Sequence, residues 1–196
     1  MNILNMNTMS LIKNRSCLFI ICICFLSINS LAQDKQKVFQ MHDNEFIEAR
    51  LGKVFPVNEI LTSITGELID LKNLHEPLIV FLGFWGCHPC EFELPILAKV
   101  SKMGKYKNYH FVYITKDRLN NFEKELSSMH LDSLGNIKVV CGQDTMIHKR
   151  KLDNGYPTMY FINSDYTVSH IETGGNTKGE ETVVLEPWSK ELDKLK

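Results

Sequence analysis

A continuous apolar run, Pro77-Leu78-Ile79-Val80-Phe81-Leu82, gives way within a few residues to Trp85-Gly86-Cys87-His88-Pro89-Cys90. The run has the pattern of a central strand covered on both faces. The residues from Pro89 to Met103 have helical spacing, with Ile96, Leu97, Val100 and Met103 on one face and Pro95 inside as a kink. Two cysteines separated by two residues thus stand where a buried strand turns into a helix. The unpaired N–H groups and the positive dipole end at such a helix start stabilise a thiolate on Cys87. A thiol held this way falls from ~8.5 into a range of roughly 3.5 to 7.5, and the thiolate is the form that attacks disulfides. Cys90, one turn in, is placed to close a ring onto Cys87. His88, when protonated, adds positive charge beside the thiolate, and Pro89 stiffens the first turn.

Other chemistries for this pair fare worse. A zinc site needs a second ligand pair, and Cys141 with His110, His130 and His148 lacks the usual spacing. Haem attachment requires His directly after the second cysteine, where this chain has Glu91. A merely structural disulfide closing so short a loop contributes little to stability, and an inert pair of core thiols is out of place where a strand ends. A redox dithiol is the reading that the strand-to-helix context favours. No metal and no cofactor are expected. The alternative is a copper or other metal-binding module that uses the same two thiolates and His88. A thiol peroxidase would need a single activated Cys with Thr and Arg nearby, which the surroundings of Cys87 do not offer.

Elsewhere, strands alternate with helices. Glu59 to Leu71 reads as two short β-prone runs about Thr65-Gly66, a hairpin. Tyr109 to Thr115 is a second strand, and Asp117 is a cap for a helix with Leu119, Phe122, Leu126 and Met129 at helical spacing. Ile137 to Cys141 is a third strand, with Cys141 read as a buried thiol that behaves as a small hydrophobe. Asp144 to Leu152 is a short helix and Thr158 to Ile162 a fourth strand. Asn163-Ser164-Asp165 turns into Tyr166 to Ile171, and Gly174-Gly175 closes that hairpin. Pro187 opens a terminal helix with Trp188, Leu192 and Leu195 on its buried side. The order implies an α/β fold with a mixed central sheet flanked by helices.

The first residues read as an export signal. Lys13 and Arg15 supply positive charge, Cys17 to Ile28 is apolar, and Ser30-Leu31-Ala32 supplies small residues for cleavage after Ala32. The apolar run is shorter than the ~20 residues that span a bilayer, so an uncleaved anchor is the lesser alternative. The organisation expected is a signal peptide over 1–32, a polar leader over 33–51 and one domain over 52–196. The leader carries only weak helical spacing, at Phe46, Ile47 and Leu51. Without residues 1–32 the chain keeps 20 basic against 23 acidic residues, a net charge of -3, and no basic stripe for nucleic acid. Of six cysteines, Cys87, Cys90 and Cys141 remain, too few for a disulfide scaffold in an oxidising, extracytoplasmic compartment such as the periplasm.

Three segments carry a family resemblance: GKVFPVNEILTSITGELIDL, FLGFWGCHPCEFELP and GYPTMYFINSDYTV. Together they resemble the thioredoxin fold, and within it the exported thiol-disulfide oxidoreductases of the TlpA/ResA type, over residues 52–196. The resemblance implies a thioredoxin-like fold with an N-terminal β-hairpin and a βα insertion, here Asp117 to Cys141. It implies that Cys87 attacks and Cys90 resolves, that Glu93-Leu94-Pro95 supplies an acidic residue and a kinking proline, and that Pro157 is a cis-proline facing the dithiol with Tyr156 and Thr158 beside it. Glu93 lies about one turn beyond Cys90 and so can approach the sulfurs and exchange protons with them, although alone it reads as a solvated helix charge. Plain thioredoxin keeps an acid six residues before the first cysteine, where this chain has Phe81, which shifts proton handling toward Glu93. The family also has Trp directly before that cysteine, whereas here Gly86 separates Trp85 from Cys87. The expected partners are disulfide-containing exported proteins and an upstream membrane thiol reductant, the chain acting as a monomer. Reduction is the favoured direction, with oxidation left open because a cationic His88 makes the disulfide more oxidising.

Overall fold

The computed structural model describes residues 43–56, 59–128, 134–176 and 179–196. The chain divides into the units Met1–Glu45 and Phe46–Lys196. The expected signal peptide and most of the leader, together with Met129 of the expected second helix, lie outside the described residues. Among the described residues, no helix is long and apolar enough to cross a membrane.

The larger unit is built on a five-stranded mixed sheet. In chain order it contains β1 (Ile60–Thr62), β2 (Leu68–Asp70), β3 (Leu78–Gly83), α1 (His88–Ser101), β4 (His110–Thr115), α2 (Leu119–Ser128), β5 (Ile137–Val140), α3 (Asp144–Arg150), β6 (Thr158–Ile162), β7 (Val168–Thr173) and α4 (Thr182–Leu192). The sheet runs β5-β4-β3-β6-β7, with β1 and β2 forming the expected separate antiparallel hairpin. β3 pairs parallel with β4 and antiparallel with β6. All six residues of β3 are buried, as its unbroken apolar run requires of a strand covered on both faces.

The alternation of side chains along each strand divides the core into two layers. Ile79, Phe81, Phe111, Tyr113, Met159 and Phe161 face α1, α2 and α4, against Leu94, Leu97, Phe122 and Trp188. Val80, Leu82, Val112, Ile114, Tyr160 and Ile162 face the hairpin and α3, against Leu61, Ile69 and Ile147. Both sheet edges receive hydrogen bonds from other segments. The Ile64 N–H donates to the Val139 carbonyl at 2.9 Å, and on β7 Val168 exchanges bonds with Gly52 and Lys53, both 2.9 Å. Such cover blunts the template that a bare edge would offer to another chain.

Four local expectations change. The terminal helix starts at Thr182 and contains Pro187 rather than beginning there. Val184 is buried in its first turn, and that packing draws the helix start back past the proline. Leu119, expected on a buried face, is 41% exposed, whereas Phe122 is fully buried. Asp117 uses its carboxylate on the backbone N–H of Trp85 and on the Thr115 hydroxyl, the latter at 3.1 Å, which ties the start of α2 to the cysteine loop. Cys141 falls just beyond β5 and is half-buried rather than in the core.

Candidate active site

The antiparallel pairing of β3 with β6 fixes where the chemistry lies. Leu82, next to the end of β3, is the partner of Thr158, the first residue of β6. The segment leaving β3, which carries the cysteines, therefore emerges beside the segment entering β6, which carries Tyr156 and Pro157. The Tyr156–Pro157 peptide bond is cis, and Pro157 is buried.

Between β3 and α1 the chain turns at Gly86, whose φ of 79° suits a residue without a Cβ. Cys87 is the N-cap of α1, and its Sγ accepts the backbone N–H of Cys90 at 3.2 Å. A sulfur thus occupies the place where Ser or Asp oxygens usually satisfy the first free N–H groups of a helix. That donor and the helix dipole both favour negative charge on Cys87 once the disulfide is opened. Cys87 and Cys90 are joined by a disulfide, with Cys87 5% exposed and Cys90 fully buried. The exposed edge therefore belongs to Cys87.

Gly175, in the loop after β7, brings three of these parts together. A methyl added there would stand 2.8 Å from Pro157 Cδ, 2.8 Å from Pro89 Cβ and 2.9 Å from Glu93 Oε1. The next residue, Asn176, donates its backbone N–H to Glu93 Oε1 at 2.8 Å. Glu93 is 4% exposed. Burial pushes its carboxyl from 4.5 up to about 7, with the nearby Glu172 carboxylate pushing the same way and the Asn176 N–H opposing. An acid that titrates near neutrality is suited to accept and return protons there.

His88, by contrast, points outward. Its side chain is 83% exposed, and Nδ1 stands 3.4 Å from Glu91 Oε2. Trp85 is 38% exposed. Tyr156 packs edge-to-face on Phe84 at 5.0 Å, and the Lys116 ammonium lies over both rings, 4.0 Å from the Phe84 centroid and 5.1 Å from that of Tyr156. Thr158 is fully buried, its hydroxyl donates to the Gly155 carbonyl at 2.7 Å, and its backbone lies in the sheet between Leu82 of β3 and Thr173 of β7. On the inner side, a methyl on Gly83 would stand 2.8 Å from the Tyr113 hydroxyl and 3.2 Å from Cys90 Sγ. The absent side chain leaves room there for both the Tyr113 ring and the Cys90 sulfur.

The structure thus brings together Cys87, Cys90, Glu93, Pro157 and Tyr156, and sets His88 apart. Gly83, Phe84, Tyr113, Lys116, Gly175 and Asn176 were not expected. Paired glycines just past a strand were a usable signal for Gly175; the others carry none that a single sequence displays. Among the described residues, no group of three or more His, Cys, Asp or Glu side chains is arranged to hold a metal ion.

No family model matches this chain, and no curated protein matches it. Solved structures do. A secreted disulfide oxidoreductase of Mycobacterium tuberculosis, homologous to Escherichia coli DsbE, superposes with a TM-score of 0.54 at 17% identity, covering 68% of this chain and 96% of its own. The thioredoxin domain of a thiol-disulfide oxidoreductase from Bacteroides vulgatus gives 0.55 at 18% identity, with 71% and 96% covered. StoA from Bacillus subtilis gives 0.54 at 18%, with 70% and 99% covered. These likenesses show a thioredoxin-like fold, a mixed sheet flanked by helices with an N-terminal antiparallel hairpin.

Proposed function

We propose that the chain is an exported thiol-disulfide oxidoreductase that exchanges electrons with protein disulfides, acting as a reductase. The observation that carries this reading is the Cys87–Cys90 disulfide at the start of α1, where the outer sulfur is the helix N-cap, with Pro89 of the same turn meeting Pro157 and the buried Glu93 at Gly175. The fold shared with secreted and thiol-disulfide oxidoreductases supports it.

In the reduced chain the Cys87 thiolate attacks one sulfur of a partner's disulfide. A mixed disulfide forms and the partner's other sulfur leaves as a thiolate, which takes up a proton. Glu93, as carboxylate, accepts the Cys90 proton, and the Cys90 sulfur attacks Cys87 Sγ. The second partner thiol departs with a proton and the Cys87–Cys90 disulfide is closed. Two electrons pass to the partner, and a dithiol donor must return two for the next cycle. Tyr156 and Pro157 offer backbone to an extended partner segment, with the buried Thr158 anchoring them in the sheet and Trp85 shielding the sulfurs from outside. His88, facing outward beside Glu91, is the remaining candidate for proton handling at this dithiol.

Residues 1–32 are the proposed signal peptide, 33–51 the leader and 52–196 the catalytic domain, working as a monomer in the periplasm or another extracytoplasmic space. Its partners there are disulfide-containing exported proteins and a membrane thiol reductant. The test is insulin-disulfide reduction with dithiothreitol as donor. Wild-type chain should accelerate precipitation of the insulin B chain, Cys87→Ser should abolish the effect, and Cys90→Ser should accumulate a mixed disulfide with insulin. Reduced chain that binds Cu(I) tightly and shows no turnover would replace this reading with metal carriage.

A further inference from the structure

Asp117, which the sequence offers as a helix cap, spends its carboxylate on the loop that presents Cys87. Phe84 to Cys87 form a four-residue turn, closed by the Cys87 N–H donating to the Phe84 carbonyl at 3.2 Å. Gly86, with its φ of 79°, fills the third place, where one type of turn requires a positive φ. The backbone N–H of Trp85, in the second place, donates to Asp117 Oδ2. That carboxylate is itself held, because the hydroxyl of the fully buried Thr115 donates to the same oxygen at 3.1 Å. The backbone beneath it is tied as well: the Gly142 N–H donates to the Asp117 carbonyl at 2.7 Å and the Gln143 N–H to the Thr115 carbonyl at 3.0 Å.

Trp85 and Gly86 are exposed, and an exposed turn built around a glycine has many conformations open to it unless something outside holds it. A carboxylate that accepts a backbone N–H makes a tie roughly twice as strong as a bond between neutral groups. The turn feeds directly into the helix start. Cys87 has the extended backbone of an N-cap, with φ of -81° and ψ of 95°, and from there its Sγ accepts the Cys90 N–H. We infer that Asp117 is a positioning residue for the nucleophile: through the Trp85 N–H it fixes the turn that sets Cys87 at the start of α1, and so keeps the Cys87 sulfur in its capping place. The exchange described above asks nothing of Asp117, so this deepens the oxidoreductase reading and rests on it for its functional meaning.

The residue between Thr115 and Asp117 reaches the other half of the site. Lys116 holds its ammonium over the Phe84 and Tyr156 rings, so residues 115–117 touch both the cysteine loop and the residue before the cis-proline. Asp117 also brings a negative charge, and a negative charge near a thiol disfavours the thiolate. A sulfur kept at the helix start, in contrast, is favoured as thiolate. The charge of Asp117 and its hold on the loop therefore push the Cys87 thiol in opposite directions, which lets substitutions separate the two.

The experiment follows alkylation of Cys87 by iodoacetamide in the reduced full chain from pH 4 to pH 9, read on the Cys87 peptide by tandem mass spectrometry. The midpoint of the rate profile reports the Cys87 thiol. Asp117→Asn keeps an oxygen for the Trp85 N–H and removes the charge, so its midpoint should stay at the wild-type value or fall. Asp117→Ala removes the acceptor as well, and its midpoint should rise by about half a pH unit or more as the sulfur loses the free N–H groups and dipole of the helix start. The neighbouring His88, Glu91, Glu93, Lys116 and Arg118 are the same in all three chains. A smaller rise or none in Asp117→Ala, in a chain that still unfolds cooperatively in urea, overturns the inference. A rise in Asp117→Asn as large as that in Asp117→Ala does the same. If Asp117→Ala fails to fold, Thr115→Val takes its place by removing the hydroxyl that aims the carboxylate; its midpoint should rise, and an unchanged one overturns the inference. Alkylation needs no protein substrate, so failure of the wild-type chain to reduce insulin would overturn the oxidoreductase reading and leave this result standing.

Discussion

Gly175 leaves room for Pro157: any Cβ at Gly175 would lie 2.8 Å from the proline Cδ. The same missing atom makes space for Pro89 and for the Glu93 carboxylate, so one loop glycine lets the β6 entrance, the first turn of α1 and the buried acid meet. Real Cβ contacts do not occur at such distances, and two of the three neighbours are proline rings that cannot rotate away. Gly175→Ala should therefore separate Pro157 from α1. Overpacking of this kind costs roughly 1–3 kcal/mol. Urea denaturation should show that loss, and insulin reduction should fall by more than the unfolded fraction accounts for. Unchanged activity and stability would mean that the loop moves without consequence.

A tenfold or larger loss is expected from Glu93→Gln, since a positioned acid-base group contributes about 10²–10⁴ in rate. The pH dependence carries more information than the size. With the carboxyl at about 7, wild-type closure of the mixed disulfide should quicken as pH rises through that value and Glu93 becomes able to accept the Cys90 proton. The Gln variant should lack this rise and quicken only where Cys90 ionises unaided. Stopped-flow Trp fluorescence across pH 5 to 9 reads both, and two superimposable profiles would remove Glu93 from the mechanism.

The cysteine site was legible because every signal for it is local. An apolar run, Gly86, two cysteines and Pro89 follow one another along the chain, and Pro157 sits directly before the strand-like Thr158 to Ile162. The central strands were legible for the same reason, each being an apolar run long enough to need cover on both faces. Contacts made by distant segments were not. Gly175 reads as a hairpin residue because Pro89, Glu93 and Pro157 reach it only after folding. Glu93 shows helix spacing but not its burial, which comes from the β7 loop closing over it. Pro187 has the composition of a helix start, yet the helix begins at Thr182 after a residue whose side chain makes no capping bond, so tertiary packing decided where a capping signal was missing.

The floor of the site makes its own demand. Gly83 faces the Tyr113 ring, and a methyl there would be 2.8 Å from that ring's Cε2 and 3.2 Å from Cys90 Sγ. Tyr113 is also packed between Phe81 at 5.7 Å and Phe122 at 5.6 Å, so it has little freedom to retreat. Gly83→Ala is expected to destabilise the chain by roughly 1–3 kcal/mol. Much of that should return in the double variant Gly83→Ala with Tyr113→Leu, which gives the methyl room. Additive losses in that cycle, measured by denaturant unfolding, would show that the two positions do not share the contact.

Burial of Glu93 also couples stability to pH, and the sign follows from which state holds the proton. The folded chain binds it up to about 7, whereas an exposed carboxyl releases it at 4.5. Between those values the folded state carries more protons than the unfolded one, so stability falls as pH rises. The contribution is fully present below 4.5 and lost above about 7. A shift of that size corresponds to about 3 kcal/mol across the window. Oxidised chain suits the measurement because Cys87 and Cys90 do not titrate while joined. Guanidinium unfolding at pH 5 and pH 8 should show the loss in wild type. Glu93→Gln, which keeps an acceptor for the Asn176 N–H but has no proton to release, should lose clearly less between the same two conditions. Equal losses in both chains would place the pH dependence elsewhere and make Glu93 an ordinary ionised carboxylate at neutral pH.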